Sequence, residues 1–292
     1  MSTATLVPHI PMSHALALGF VQGATEFLPV SSTAHMRILP VILNWQDPGT
    51  AFSAIVQLGP IIAIIAYFRH DLVRYIAGIR RSFKKGLMFP KGDIDARLGW
   101  YTVLATIPLI IGGLLLEHEI NHRFRDLRIE ATVLIVLGLI LLVAERVGTR
   151  TRTLESLTLK EAMYIGVAQV LAVIPGASRS GCTITMGLFQ GLDREAAARF
   201  SFLLSIPAIT LAGLYELYSK VIHKHASLHG VTGPYLAATA LAGVVAYVII
   251  RWLLGYLENE QNTTIPFVVY RIMLGLGIFY LLHAGYVFPQ SY

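Results

Sequence analysis

Apolar residues in this chain come in runs of helical length, separated by short polar or basic gaps. The first run, about Ser13–Leu28, carries Gln22 and Glu26 and ends in Pro29-Val30-Ser31-Ser32-Thr33-Ala34-His35; a short apolar piece, Met36–Leu43, follows. Neither piece is a clean span of ~20 apolar residues, so together they predict a helix, a polar break and a short helix. Thr50–Phe68 is long enough to cross a bilayer. The basic gap Arg69–Arg97 follows, then the spans Gly99–Leu116 and Ala131–Ala144 with the mixed gap Glu117–Glu130 between them. After a second basic gap, Glu145–Lys160, the pattern restarts. Ala162–Ile174 is apolar, Pro175–Thr183 breaks it, Ile184–Leu188 resumes it, and Phe200–Tyr218, Tyr235–Leu257 and Ile265–Tyr286 can each span.

The two series resemble each other. Gly19-Phe20-Val21-Gln22 matches Gly166-Val167-Ala168-Gln169, and Leu28-Pro29 before Ser31-Ser32 matches Ile174-Pro175 before Ser178 and Ser180, with a one-residue gap. Paired Gly/Pro-broken segments at corresponding places point to the binding site of a pseudo-symmetric membrane protein. The expected fold is all-α and polytopic, one membrane domain over residues 1–292. It holds two repeats, about 10–145 and 160–286, each a re-entrant helix-loop-helix plus three spans. Lys and Arg counts put Arg69–Arg97 and Glu145–Lys160 in the cytoplasm and Glu117–Glu130 outside, which makes the repeats inverted. The same assignment places Gly255–Thr264 in the cytoplasm, although it has no Lys or Arg.

Composition agrees. Mean hydropathy is +0.63 and only 14% of the 292 residues are charged, against about 25% in soluble chains. The net charge of +6 sits in the gaps, so it reads as topology rather than nucleic-acid binding, and Arg80–Lys85 reads as an anchor to anionic lipid. A lone cysteine, Cys182, excludes an intrachain disulfide. Met1–Pro11 has no Lys or Arg, so no cleaved signal peptide is expected. Nothing in the sequence sets the oligomeric state.

The breaks carry the candidate chemistry. Gln22 and Glu26 are four apart and share a helix face. A charge at membrane depth costs roughly 2.5–3.5 kcal/mol or more, so Glu26 and Arg179 call for a polar cavity, or else they simply neutralise each other. Arg179 can grip a phosphate bidentately, and the amides of Gly176–Ser180, with a helix from Ile184, form a plausible anion nest. Ser32 is a candidate nucleophile and His35 a candidate general acid or base. Glu26 can hold Mg²⁺ or Ca²⁺ with help from the Gln22 carbonyl. Ser31 and Thr33 are equally readable as helix caps.

At these residues the chain resembles the undecaprenyl-diphosphatase (bacitracin-resistance) family. The likeness rests on Gln22-Gly23-Ala24-Thr25-Glu26 running into Phe27–His35, and on Pro175-Gly176-Ala177-Ser178-Arg179-Ser180-Gly181-Cys182-Thr183. Gln57-Leu58-Gly59, Arg199–Leu204, Ile265-Pro266-Phe267 and Tyr270-Arg271 extend it from about Gly19 to Arg271. The resemblance implies hydrolysis of undecaprenyl diphosphate, a lipid carrier of cell-wall synthesis, to the monophosphate and phosphate, aided by a divalent cation. It implies a bacterial inner-membrane protein with its site open to the periplasm. It makes Glu26, Ser32, His35, Ser178, Arg179 and Thr183 functional positions. Gln22 stands where a glutamate is frequent, and Ala34 where a glycine is.

Other patterns compete. His118-Glu119-Ile120-Asn121-His122 matches the zinc-protease spacing but is surrounded by charge, as a solvated loop would be. His223, His225 and His229 read as another hydrated loop. Broken helices in inverted repeats also suit a polyprenyl-phosphate flippase; Ser32, His35 and Glu26 supply more chemistry than transport needs.

Overall fold

The computed structural model describes residues 10–90, 92–116, 126–216, 218 and 232–288. Both histidine patterns lie outside these residues, as does most of Met1–Pro11. Among the described residues the chain is helical, with one isolated bridge between Arg152 and Leu192. The first half comprises α1 (Met12–Thr25), α2 (Ser32–Ile42), α3 (Gly49–Val56), α4 (Leu58–Tyr67), α5 (Arg69–Lys84), α6 (Ile94–Leu115) and α7 (Leu127–Val147). The second comprises α8 (Leu159–Gln169) with a 3-10 turn at Val170–Val173, α9 (Arg179–Phe189), α10 (Arg194–Glu216), α11 (Thr232–Glu258) and α12 (Ile265–His283).

Five helices (α6, α7, α10, α11 and α12) are long and apolar enough to cross a membrane. Ala51–Tyr67 and α5, bent by 71° against each other, make a sixth candidate when the pair is counted as one span. Five of the six expected spans are thus single helices, four of them longer than hydropathy alone drew them, and the expected Thr50–Phe68 falls in the bent pair. The expected gap Arg69–Arg97 is largely the helix α5. Its buried face carries Tyr75, Gly78 and Ser82 against α6 and Asp71 toward Arg199 of α10, while Val73, Ile76 and Phe83 are exposed together with Arg80 and Lys84. Hydropathy missed this helix because half its surface is charged.

The short helices begin earlier than the apolar runs did. The expected start at Ile184 moves to Arg179, and α2 starts at Ser32 rather than Met36. Polar residues in a first helical turn look like loop to a hydropathy reading, although that turn is where capping hydroxyls belong.

The short helices are held by the opposite half. α1 packs on α11, and α8 packs on α6. Small residues allow the approach: a Cβ on Gly19 would fall 2.5 Å from the Ala238 carbonyl oxygen, and one on Gly166 would fall 2.2 Å from that of Ala105. α7 and α12 pair with each other, and α2 buries Ala34 and Ile38 in a cluster with Leu134 and Ile278. At one end Glu145, almost fully buried, accepts from Arg194 at 2.5 Å and from the Thr264 hydroxyl at 2.7 Å. That joins the loop before α12 to the last turn of α7, so Thr264 and the start of Glu145–Lys160 share one end of the molecule.

Candidate active site

Each half ends its broken helix with the same backbone device. Pro29 and Gly176 fall at equivalent places, and two residues later Ser31 and Ser178 take positive φ, 72° and 63°. Each serine then caps the next helix: the Ser31 hydroxyl accepts from the Ala34 amide, and that of Ser178 from the Gly181 amide. Ser31 shares a hydrogen bond with Thr33, and Ser178 shares one with Ser180. The halves therefore align residue for residue without the gap drawn from sequence. Ser31 corresponds to Ser178, Thr33 to Ser180, and Ser32 to Arg179.

Ser32 and Arg179 are thus both first residues of helices, and their side chains meet on one carboxylate. Glu26, 8% exposed, accepts from Arg179 Nη2 at 2.5 Å through Oε1. Its Oε2 accepts from Ser32 Oγ at 2.7 Å and from Gln22 Nε2 at 2.9 Å. The mutual neutralisation of Glu26 and Arg179, weighed above as an alternative, is formed here as an ion pair. First-turn amides of a helix lack internal acceptors, and its positive end favours an anion. The Glu26 carboxylate is held by the side chains of the first residues of two such helices.

His35 turns elsewhere. Its Nδ1 lies 2.7 Å from the Ser31 carbonyl oxygen and its Nε2 2.6 Å from the Tyr270 hydroxyl, with the two rings stacked at 5.5 Å. A carbonyl only accepts, so Nδ1 carries a hydrogen and Nε2 is the nitrogen that can change protonation. The group in contact with Ser32 is Glu26, not His35. Among the other expected phosphate ligands, Ser180 donates to the Leu28 carbonyl at 2.9 Å, and fully buried Thr183 shares a 2.6 Å hydrogen bond with Ser201. Gly176, at φ 88°, has no room for a Cβ, which would meet the Glu130 carbonyl oxygen at 2.5 Å.

Two neighbours were quoted in the sequence likeness but given no role: Tyr270 and Arg271. Arg271 is fully buried. Its guanidinium donates to the carbonyls of Pro29 (3.2 Å), Gly176 (3.1 Å), Ala177 (2.9 Å) and Leu134 (3.3 Å). Glu130, also fully buried, takes Arg37 at 2.6 Å. A cavity of about 990 Å³ lies apart from Glu26, lined by α5 and the start of α10. Its arginines are already paired: Arg74 with Asp71, Arg81 with Asp93, Arg199 with Asp71 and Glu195.

Comparison with known proteins decides the lineage. Residues 15–277 match the family model described as Bacitracin resistance protein BacA. The chain belongs to this family. A relative named undecaprenyl-diphosphatase from Nocardioides sp. is 44% identical, the match covering 94% of this chain and 97% of the relative. One of the same name from Micrococcus luteus is 47% identical, over 94% and 98%. Another from Arthrobacter sp. is 49% identical, over 92% and 93%. For a BacA-family chain, the two breaks that meet at Glu26 are the segments to which sequence resemblance assigned the chemistry.

Proposed function

We propose that this protein is a phosphatase of the bacterial inner membrane that hydrolyses undecaprenyl diphosphate to undecaprenyl phosphate and inorganic phosphate. The carrying observation is that Ser32 and Arg179, each first in a helix, converge on Glu26. A nucleophile, its base and a phosphate-binding guanidinium are thereby within one hydrogen-bonded cluster, and the names of the relatives agree.

In the reaction, Arg179 leaves Glu26 for the incoming diphosphate, which joins the amides at the start of α2 and α9. Ser32 Oγ, or a water in its place, attacks the terminal phosphorus and gives its proton to Glu26. The bond from that phosphorus to the bridging oxygen breaks, and undecaprenyl phosphate leaves. On the serine route, water then cleaves the phosphoserine. His35 Nε2 and the Tyr270 hydroxyl carry protons at the edge of the cluster. Arg179 and the helix ends stabilise the charge that develops.

A divalent cation, Mg²⁺ or Ca²⁺, belongs to the proposal. Among the described residues no group of three or more acidic, histidine or cysteine side chains could hold a metal by itself. One carboxylate, Glu26, with the Gln22 amide oxygen suits a hard cation that arrives with its phosphates. When bound, such a cation neutralises phosphate charge. Gln22 presents its amide nitrogen to Glu26, which leaves its oxygen as the candidate donor.

The repeats are inverted in this reading, with the site opening to the periplasm. The Lys and Arg bias of the gaps supports it, and the reciprocal packing of α1 on α11 and α8 on α6 fits a pseudo-two-fold relation of the halves. Transport of the lipid alone does not account for the Ser32–Glu26 contact. The test is phosphate release from undecaprenyl diphosphate by the purified full chain in detergent, with and without chelator. No release under any cation would sink the phosphatase reading and leave the flippase.

A further inference from the structure

The site is split between two halves of the chain, and three contacts tie its two loops together. One is the Glu26–Arg179 ion pair; the second is Ser180 Oγ donating to the Leu28 carbonyl; the third is Arg271. The first tie is the one that substrate must open, because Arg179 cannot hold Glu26 and a phosphate in the same geometry. Something else has to keep the loops in register at that moment.

We infer that Arg271 is the positioning residue that does so, a clamp joining the phosphate-holding loop to the nucleophile-bearing loop; this rests on the phosphatase reading above. Its guanidinium reaches Pro29 through one nitrogen, and Gly176 and Ala177 through another. Pro29 and Gly176 are the equivalent residues of the two breaks, so the clamp grips the same point of each half. Its described partners are all carbonyls, which do not change charge during turnover. The planar fork of five N–H donors suits this task, and a lysine ammonium cannot span both loops. The clamp also explains Gly181: a Cβ there would fall 2.5 Å from Arg271 Nη1. Gly181→Ala therefore forces the guanidinium to shift.

The experiment is a double-mutant cycle on the full-length protein: Arg271→Lys, Gly181→Ala and both together. Phosphate release gives kcat and KM. Each single variant should lose about 30-fold or more in kcat, with KM within about threefold, since the Arg179 cradle survives while its alignment to Ser32 does not. The double variant should be no worse than about threefold below the weaker single. Losses that multiply, or an Arg271→Lys variant with parental kcat, overturn the clamp. A second readout does not need activity: spin labels at exposed Thr33 and Leu171 should give a narrow distance distribution in the parent and a broad one in Arg271→Lys. Equal widths overturn the clamp. A parent that releases no phosphate overturns the phosphatase reading, and the label distances still decide the clamp.

Discussion

Replacing Glu26 by glutamine separates holding an anion from breaking one. The change keeps the shape and an acceptor for Ser32 but removes the counter-charge of Arg179, whose side chain is 16% exposed. Removing one partner of a buried pair costs about 3–5 kcal/mol, and the residual exposure puts this one near the lower end. The same carboxylate is the proton acceptor nearest to Ser32 Oγ, at 2.7 Å. Loss of a general base costs about 10²–10⁴-fold in rate. The two consequences respond oppositely to inorganic phosphate. In the parent, phosphate must displace the Glu26 carboxylate from Arg179; in Glu26→Gln it competes only with a neutral amide. Phosphate, with chelator present, should therefore raise the unfolding midpoint of the variant more than that of the parent, while turnover falls about 10³-fold. Thermal unfolding across a phosphate titration, together with phosphate release, measures both. Turnover above a tenth of the parent, or equal stabilisation of both proteins by phosphate, would show that Glu26 is not the anion in the phosphate place.

Tyr270→Phe keeps the ring stacked on His35 and removes only the hydroxyl at Nε2; a drop of about tenfold in kcat with normal expression is expected, and unchanged kcat would remove Tyr270 from the proton path. Gly166→Ala forces a Cβ into the Ala105 carbonyl and should destabilise by about 1–3 kcal/mol, whereas Gly277→Ala, with nothing within 4 Å, should be neutral or better, as compared by thermal unfolding in one detergent. Glu161, in the loop-side turn of α8, is held down to about 2 from an ordinary 4.5, first by its hydrogen bond with Arg152. A depressed carboxyl stabilises the fold above the ordinary value and loses that contribution as pH falls toward 2. Glu161→Gln should therefore unfold at lower temperature than the parent at pH 7, and the gap should close between about pH 4.5 and 2; a gap constant with pH would refute the pairing.

Much of this was legible in the residues. The five single-helix spans follow from apolar length, because every backbone group in lipid must bond within its own helix. The two breaks were legible because Pro, Gly, Ser and Arg have no ordinary place inside an apolar run. Helix starts were not: Ser32 and Arg179 sit in first turns, where hydropathy cannot tell a capped helix from a loop. α5 was hidden in the same way by its own charge. The one-residue gap between the halves came from matching serine to serine, while the backbone matches Ser32 to Arg179.

The sequence by itself determined the class, the family likeness and the two stretches that carry the chemistry, since residue type and local spacing settle these. Only the tertiary structure decided who touches whom. Ser32 finds Glu26 rather than His35, which is nearer in sequence, because a positive φ at Ser31 starts a new helix whose first residue faces the end of α1 while its fourth faces Tyr270. Arg271 reaches residues 242 and 95 positions away. Such contacts are set by how the two halves interlock, and no local pattern of polar and apolar residues encodes that.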